Sequence, residues 1–155
     1  MKPITYFSGD ALNPLEVKGR KIIVHVCNDL GVMGAGIALA IRKKWPSAYD
    51  DYVKWFKKDD FKLGNVQFVK VDKETVVANM IGQKSLGYTN GVPPIRYDAV
   101  GSCLKKVAVV AKKYEASVVG PKIGAGLAGG KWEEIEKLII ENLCEQDVSV
   151  YIYEL

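Results

Sequence analysis

The sequence predicts an α/β domain built as a three-layer α/β/α sandwich around a largely parallel sheet. Three observations predict it. Apolar strand-like runs alternate with segments of helical periodicity through most of the 155 residues. The run KIIVHV, Lys21 to Val26, is apolar almost throughout, as in a strand covered on both faces. Two glycine-dense stretches each stand between a strand-like run and a helix-like one.

The elements follow in order. ITYF reads as a short first strand and SGDALNP as the loop that leaves it. After KIIVHV, a helix is expected over Gly36 to Lys44. A second follows in WPSAYDDYVKWF, with Pro46 near its first turn. GNVQFVKV and ETVVANMI are two strands joined by a turn around Asp72 and Lys73. Gly82 to Ile95 holds three glycines and two prolines and is the longest irregular stretch. In RYDAVGSCLKKVAVVAKKY, Val100, Leu104, Val107, Val110 and Ala111 recur at helical spacing. ASVVGPKIG is strand and loop, KWEEIEKLIIENLCEQ an amphipathic helix, and VSVYIYEL a closing strand. No internal repeat, low-complexity tract or linker divides the chain, so one domain is expected over 1–155.

Composition narrows the function classes. With 48% hydrophobic and 26% charged residues, the chain falls among ordinary soluble globular proteins. No apolar run is long enough to span a bilayer, and MKPITYFSGD lacks the apolar segment of a secretory signal. Cys27, Cys103 and Cys144 are odd in number and widely spaced, which points to reduced thiols. A cytoplasmic location without membrane association is therefore expected. The net charge of +4 is spread over lysine doublets, which would draw a small anion but lacks the concentrated basic stripe of a nucleic-acid binder. One histidine and scattered carboxylates give no metal-ligand spacing, so no metal or other cofactor is expected.

The two glycine loops carry the chemistry. The first, in VHVCNDLGVMGAGIALA, has Gly31, Gly34 and Gly36 behind the polar pair Asn28 and Asp29. The second is GPKIGAGLAGGKW, Gly120 to Trp132. Glycine lets bare backbone N–H groups converge at a helix start, which makes a concave anion site. Two such loops on neighbouring strands would hold a diphosphate from both sides. Gly124, Gly126 and Gly129 also match the dinucleotide fingerprint G-x-G-x-x-G. Its context fails, because only one helix and one strand remain before Leu155, and Glu154 is the only candidate for the required acid. No phosphate-loop motif with Gly-Lys-Ser/Thr is present.

SGDALN, HVCNDLGVMGAGIA and PKIGAGLAGGKW together resemble the macrodomain family over nearly the whole chain. HVCND, VANMIGQ, PPIRYDAV and GLAGGKWEEIE look like the branch of ADP-ribose 1''-phosphate phosphatases, which lies near the ADP-ribosyl glycohydrolases. The resemblance implies a mixed, largely parallel sheet and a cleft for ADP-ribose or ADP-ribose 1''-phosphate, with hydrolysis of the latter to ADP-ribose and phosphate. It also implies ligand-binding roles for Asp10, at the adenine, for Ala11, and for Asn28, at the distal ribose, where Asn28 is a catalytic candidate as well. Gly34, Ala35, Gly36 and Ile37 would cradle one phosphate, and Ile123, Gly124, Ala125, Gly126 and Leu127 the other. His25, the only histidine, or Asp29 would assist proton transfer. Alternatives are removal of ADP-ribose from a protein, nucleic acid or acetyl ester, and a reader without turnover. The glycohydrolase branch uses a lysine after the NMI-like strand, and either Lys84 or Gln83 falls there. It also uses an acid in the second glycine loop, where this chain has Ala128. A monomer is expected.

Overall fold

The computed structural model describes residues Met1–Leu155. Strands β1 (Ile4–Ser8), β2 (Lys21–Asn28), β3 (Val66–Lys70), β4 (Thr75–Gln83), β5 (Ser117–Gly120) and β6 (Val150–Glu154) form one sheet. Its order is β1-β6-β5-β2-β4-β3. Every pair is parallel except β3 with β4, the hairpin turned at Asp72 and Lys73. Helices α1 (Gly36–Lys44), α2 (Pro46–Trp55), α3 (Tyr97–Tyr114) and α4 (Trp132–Asn142) complete the layers. The expected closing turn of α4 is instead a separate 3-10 turn, Cys144–Gln146.

Strand β2 shows why both faces had to be apolar. Ile22 and Val24 join the larger core with α3 and α4, through Val100, Leu104, Val107, Ile135 and Ile139. Ile23 and Cys27 point the other way, toward Ile41 of α1 and Ala48, Tyr52 and Trp55 of α2. Period-two alternation in a central strand thus feeds two cores. Strand β2 runs two residues beyond its apolar stretch, to Asn28, where pairing with β4 continues after pairing with β5 has ended at Ile23.

The connectivity opens a crevice. From β2 the chain crosses by α1 and α2 to β3 and β4 on one side. From β4 it returns by α3 to β5 on the other side of β2. The loop after β2 leads to α1 on one face, and the loop after β5 leads to α4 on the opposite face. Neighbouring strands whose carboxyl ends depart in opposite directions leave a cleft between their loops, the usual place for a ligand in an open α/β sheet.

Candidate ligand-binding cleft

The cleft has a volume of about 680 Å³, within the range of pockets that bury a small ligand. Both glycine loops line it: Gly34, Ala35, Gly36 and Ile37 from the first, and Ile123, Gly124, Gly126, Leu127 and Ala128 from the second. The loops approach closely, since a Cβ on Gly36 would stand 3.6 Å from Leu127 Cδ1. Ala125 belongs to the second loop but is not among the lining residues.

The backbone of both loops is what makes the cleft chemically distinctive. The N–H groups of Gly34, Ala35, Gly36, Ile37 and Ala38 donate to no protein acceptor, because they precede the first bond of α1 from Leu39 to Ala35 O. In the second loop, the N–H groups of Ile123, Gly124, Gly126, Leu127 and Ala128 likewise have no protein partner. Helix starts leave such donors free by geometry, and the helix dipole adds positive potential. Here α1 has no side-chain N-cap and no acid in its first turn, so nothing of the chain's own competes for them.

The glycines divide by purpose. Gly130 is required by the fold: a Cβ there would meet Gly124 O at 2.5 Å, across the turn closed by the Gly130 N–H to Gly124 O bond of 2.7 Å. Gly34 and Gly126 have negative φ and no close neighbour, so folding does not demand glycine at either. Both line the cleft. Their missing side chains keep its floor open.

Asn28 ends β2 inside the cleft, and its amide organises the first loop. Its Oδ1 accepts from the N–H groups of Leu30 at 3.0 Å and Val32 at 3.3 Å, and its Nδ2 donates to Val32 O at 2.7 Å. The hydroxyl of buried Tyr52 donates to Asn28 O at 2.6 Å and lies 3.0 Å from its Oδ1. One N–H of the amide is left for a ligand. Burial pushes the Tyr52 phenol well up, so it remains a donor.

Several residues singled out from the sequence lie elsewhere. His25 is fully buried on the α2 side of the sheet and is not part of the cleft. Its Nε2 donates to Asn79 Oδ1 at 2.6 Å, while Asn79 Nδ2 donates to Ala48 O and Gln67 Oε1. Burial lowers its pKa from 6.5 to about 4, partly opposed by the Asn79 bond, so the ring is neutral. The ring is sealed from solvent between Cys27 and Asn79, which corrects the expectation of a proton carrier. Cys27 lines the floor of the cleft, but burial pushes its thiol well above the usual range and leaves it a poor nucleophile.

Asp10 is exposed at the end of β1, outside the cleft lining. Its Oδ1 accepts the Leu12 N–H at 2.9 Å and its carbonyl accepts from Asn13, an Asx turn. Ala11 is buried in the smaller core rather than presented to the cleft. Asp29 is also outside the lining, with its carboxylate turned to the Ser85 N–H at 2.7 Å.

Of Gln83 and Lys84, only Gln83 faces the cleft, next to a bulge. The β2–β4 register slips between Cys27 and Asn28, so that Asn28 stands opposite Gln83 rather than Gly82. Gln83 lines the cleft, whereas Lys84 is exposed and outside it. Ala128 is buried where the glycohydrolase branch would carry its acid. The cleft lining contains no carboxylate and no imidazole, and its one cation, Lys122, is paired with Glu154 at 2.8 Å. Nowhere do three or more His, Cys, Asp or Glu side chains gather as metal ligands. No helix is long and apolar enough to cross a membrane.

The model of the Macro domain matches residues 24–139, from within β2 to within α4 and across both glycine loops. The chain belongs to the macrodomain family. Among solved structures, this macrodomain superposes on a protein of unknown function from Bacteroides thetaiotaomicron at 47% identity and TM-score 0.96, over 99% of both chains. It superposes on a macrodomain protein from Streptomyces coelicolor at 44% identity and TM-score 0.86, also over 99% of both. Among curated relatives, it is 26% identical to the ADP-ribose 1''-phosphate phosphatase of Candida albicans, over 89% of this chain and 92% of that one. It is 27% identical to the DNA ADP-ribosyl glycohydrolase of Mycobacterium bovis and 33% identical to the mouse chromodomain-helicase-DNA-binding protein 1-like, over 97% of this chain in both cases. The chain spans only 42% and 17% of those two proteins.

Proposed function

We propose that this macrodomain binds ADP-ribose in the cleft and hydrolyses ADP-ribose 1''-phosphate to ADP-ribose and phosphate. The observation that carries the binding reading is the pair of unpartnered N–H sets, Gly34–Ala38 on one loop and Ile123, Gly124, Gly126, Leu127 and Ala128 on the other, around one cleft. A dianionic diphosphate offers acceptors to both sets at once. Each amide-to-phosphate bond contributes about 1.5–3 kcal/mol when the acceptor is charged. The free Asn28 N–H and the Gln83 amide stand at the end of the cleft near β4 and suit the hydroxyls of a distal ribose.

Hydrolysis fits the same site without a covalent intermediate. Water forms the new bond to phosphorus, the bond from phosphorus to O1'' breaks, and O1'' leaves with a proton from solvent. Backbone amides aimed at the phosphoryl oxygens stabilise the charge that develops there. The phosphatase relative from Candida albicans, similar over nearly its whole length, supports this bond as the one broken. A Schiff-base route to ADP-ribosylated macromolecules is disfavoured, since Gln83 cannot act as an amine nucleophile and Lys84 is outside the cleft.

A reader without turnover is the second reading, favoured by the absence of any carboxylate or imidazole from the lining. Phosphate release from ADP-ribose 1''-phosphate, measured with calorimetric titration of ADP-ribose on the same preparation, separates the two. Release that scales with enzyme concentration is expected. Tight binding without release would make the protein a reader, and no binding would remove both readings.

A further inference from the structure

The stretch from Gln83 to Ile95 is fastened to both amide loops. At its far end the Ile95 N–H donates to Ala128 O at 3.0 Å, and Arg96 Nη1 donates to the carbonyls of Pro93, Pro94 and Ile95. In its middle, the Tyr88 ring packs on Gly129 so closely that a Cβ there would fall 2.6 Å from the hydroxyl. At its near end Ser85 takes a left-handed conformation, φ +63, which a residue with a Cβ adopts only when held. It is held from both sides: its N–H donates to Asp29 Oδ1 at 2.7 Å, and its carbonyl accepts from Gln83 Nε2 at 3.0 Å. The next two residues, Leu86 and Gly87, line the cleft, although neither of their N–H groups has a protein partner.

We propose that Asp29 is a positioning residue that pins Ser85 and thereby holds Leu86 and Gly87 over the end of the cleft next to Asn28. Resting on the ligand reading above, this strap closes the cleft beyond the distal ribose and limits what can be attached at C1''. Asp29 acts through an accepting oxygen rather than by taking a proton from water. Its carboxylate is spent on the strap and lies outside the cleft lining.

Asparagine at position 29 keeps an accepting Oδ1, and alanine does not. Trypsin cleaves after exposed Lys84, and the cut requires the Ser85 peptide to open. Asp29→Ala is expected to raise the cleavage rate after Lys84 by about tenfold or more, and Asp29→Asn by less than about threefold. With ADP-ribose 1''-phosphate, Asp29→Ala is expected to raise KM while changing kcat less, and Asp29→Asn to restore KM. Equal cleavage of the alanine variant and the wild type, or an asparagine variant as inactive as the alanine one, would overturn the proposal. The second outcome would make Asp29 a proton carrier. Should Asp29→Ala not fold, amide hydrogen exchange on the wild type decides: Ser85 should exchange more slowly than Leu86 and Gly87, and equal rates would refute the tie. Cleavage and exchange need no ligand, so a failure to bind ADP-ribose would remove the substrate reading without disturbing these readouts.

Discussion

Gly126→Val isolates binding from folding. Gly126 is exposed, has a negative φ, and no heavy atom stands within 4 Å of where its Cβ would be. A Cβ at this position therefore displaces nothing. Replacing a glycine at a permitted conformation narrows the unfolded ensemble and stabilises by about 0.4–1 kcal/mol in comparable cases. The cleft, by contrast, gains a branched side chain beside the unpartnered N–H groups of Gly126 and Leu127. Keeping one phosphate oxygen from its amide forfeits about 1.5–3 kcal/mol, which is roughly a 10- to 150-fold rise in Kd. Calorimetric titration of ADP-ribose and a thermal melt on the same sample give both numbers. An unchanged Kd with an unchanged Tm would refute the claim that this loop meets the ligand through its backbone.

Three further outcomes follow from the same geometry. Gly130→Ala should do the reverse of Gly126→Val and destabilise the fold by about 1–3 kcal/mol, because its Cβ would sit 2.5 Å from Gly124 O and 2.8 Å from Ile135 Cδ1; urea unfolding measures this. His25 should make stability depend on acid. With a pKa near 6.5 unfolded and about 4 folded, the unfolded chain binds the extra proton between those values. Stability is then complete above about pH 6.5 and falls by up to about 3 kcal/mol as pH drops toward 4; His25→Gln should flatten that part of the unfolding profile. Lys84→Ala should leave affinity for ADP-ribose and phosphate release within about twofold of wild type, as for a surface change, since the side chain is exposed and outside the cleft.

The architecture was legible because periodicity reports it. An apolar run as continuous as Lys21 to Val26 needs cover on both faces, and the helices of α1 to α4 lie where the spacing places them. The glycine loops were legible too, since their composition and position between strand and helix are local properties. Two features were not. His25 and Asn28 are three residues apart in one strand, yet one is sealed behind Asn79 and the other ends in the cleft. Strand alternation alone leaves the choice of face open until both helical layers are packed. The slip that sets Asn28 against Gln83 depends on pairing with a strand about fifty residues away, and no nearby residue announces it. Asp29 illustrates a third limit: a carboxylate beside a glycine loop suggests chemistry, while its partner, Ser85, lies 56 positions along the chain.

The measurement that bears most directly on the central claim is a titration of the isotope-labelled protein with ADP-ribose, followed by amide resonances. The account predicts that Gly34–Ala38 and Ile123–Ala128 shift together, along one saturation curve, with Asn28 and Gln83 side-chain amides joining them. Shifts confined to a single loop, or centred on residues away from the cleft, would contradict it.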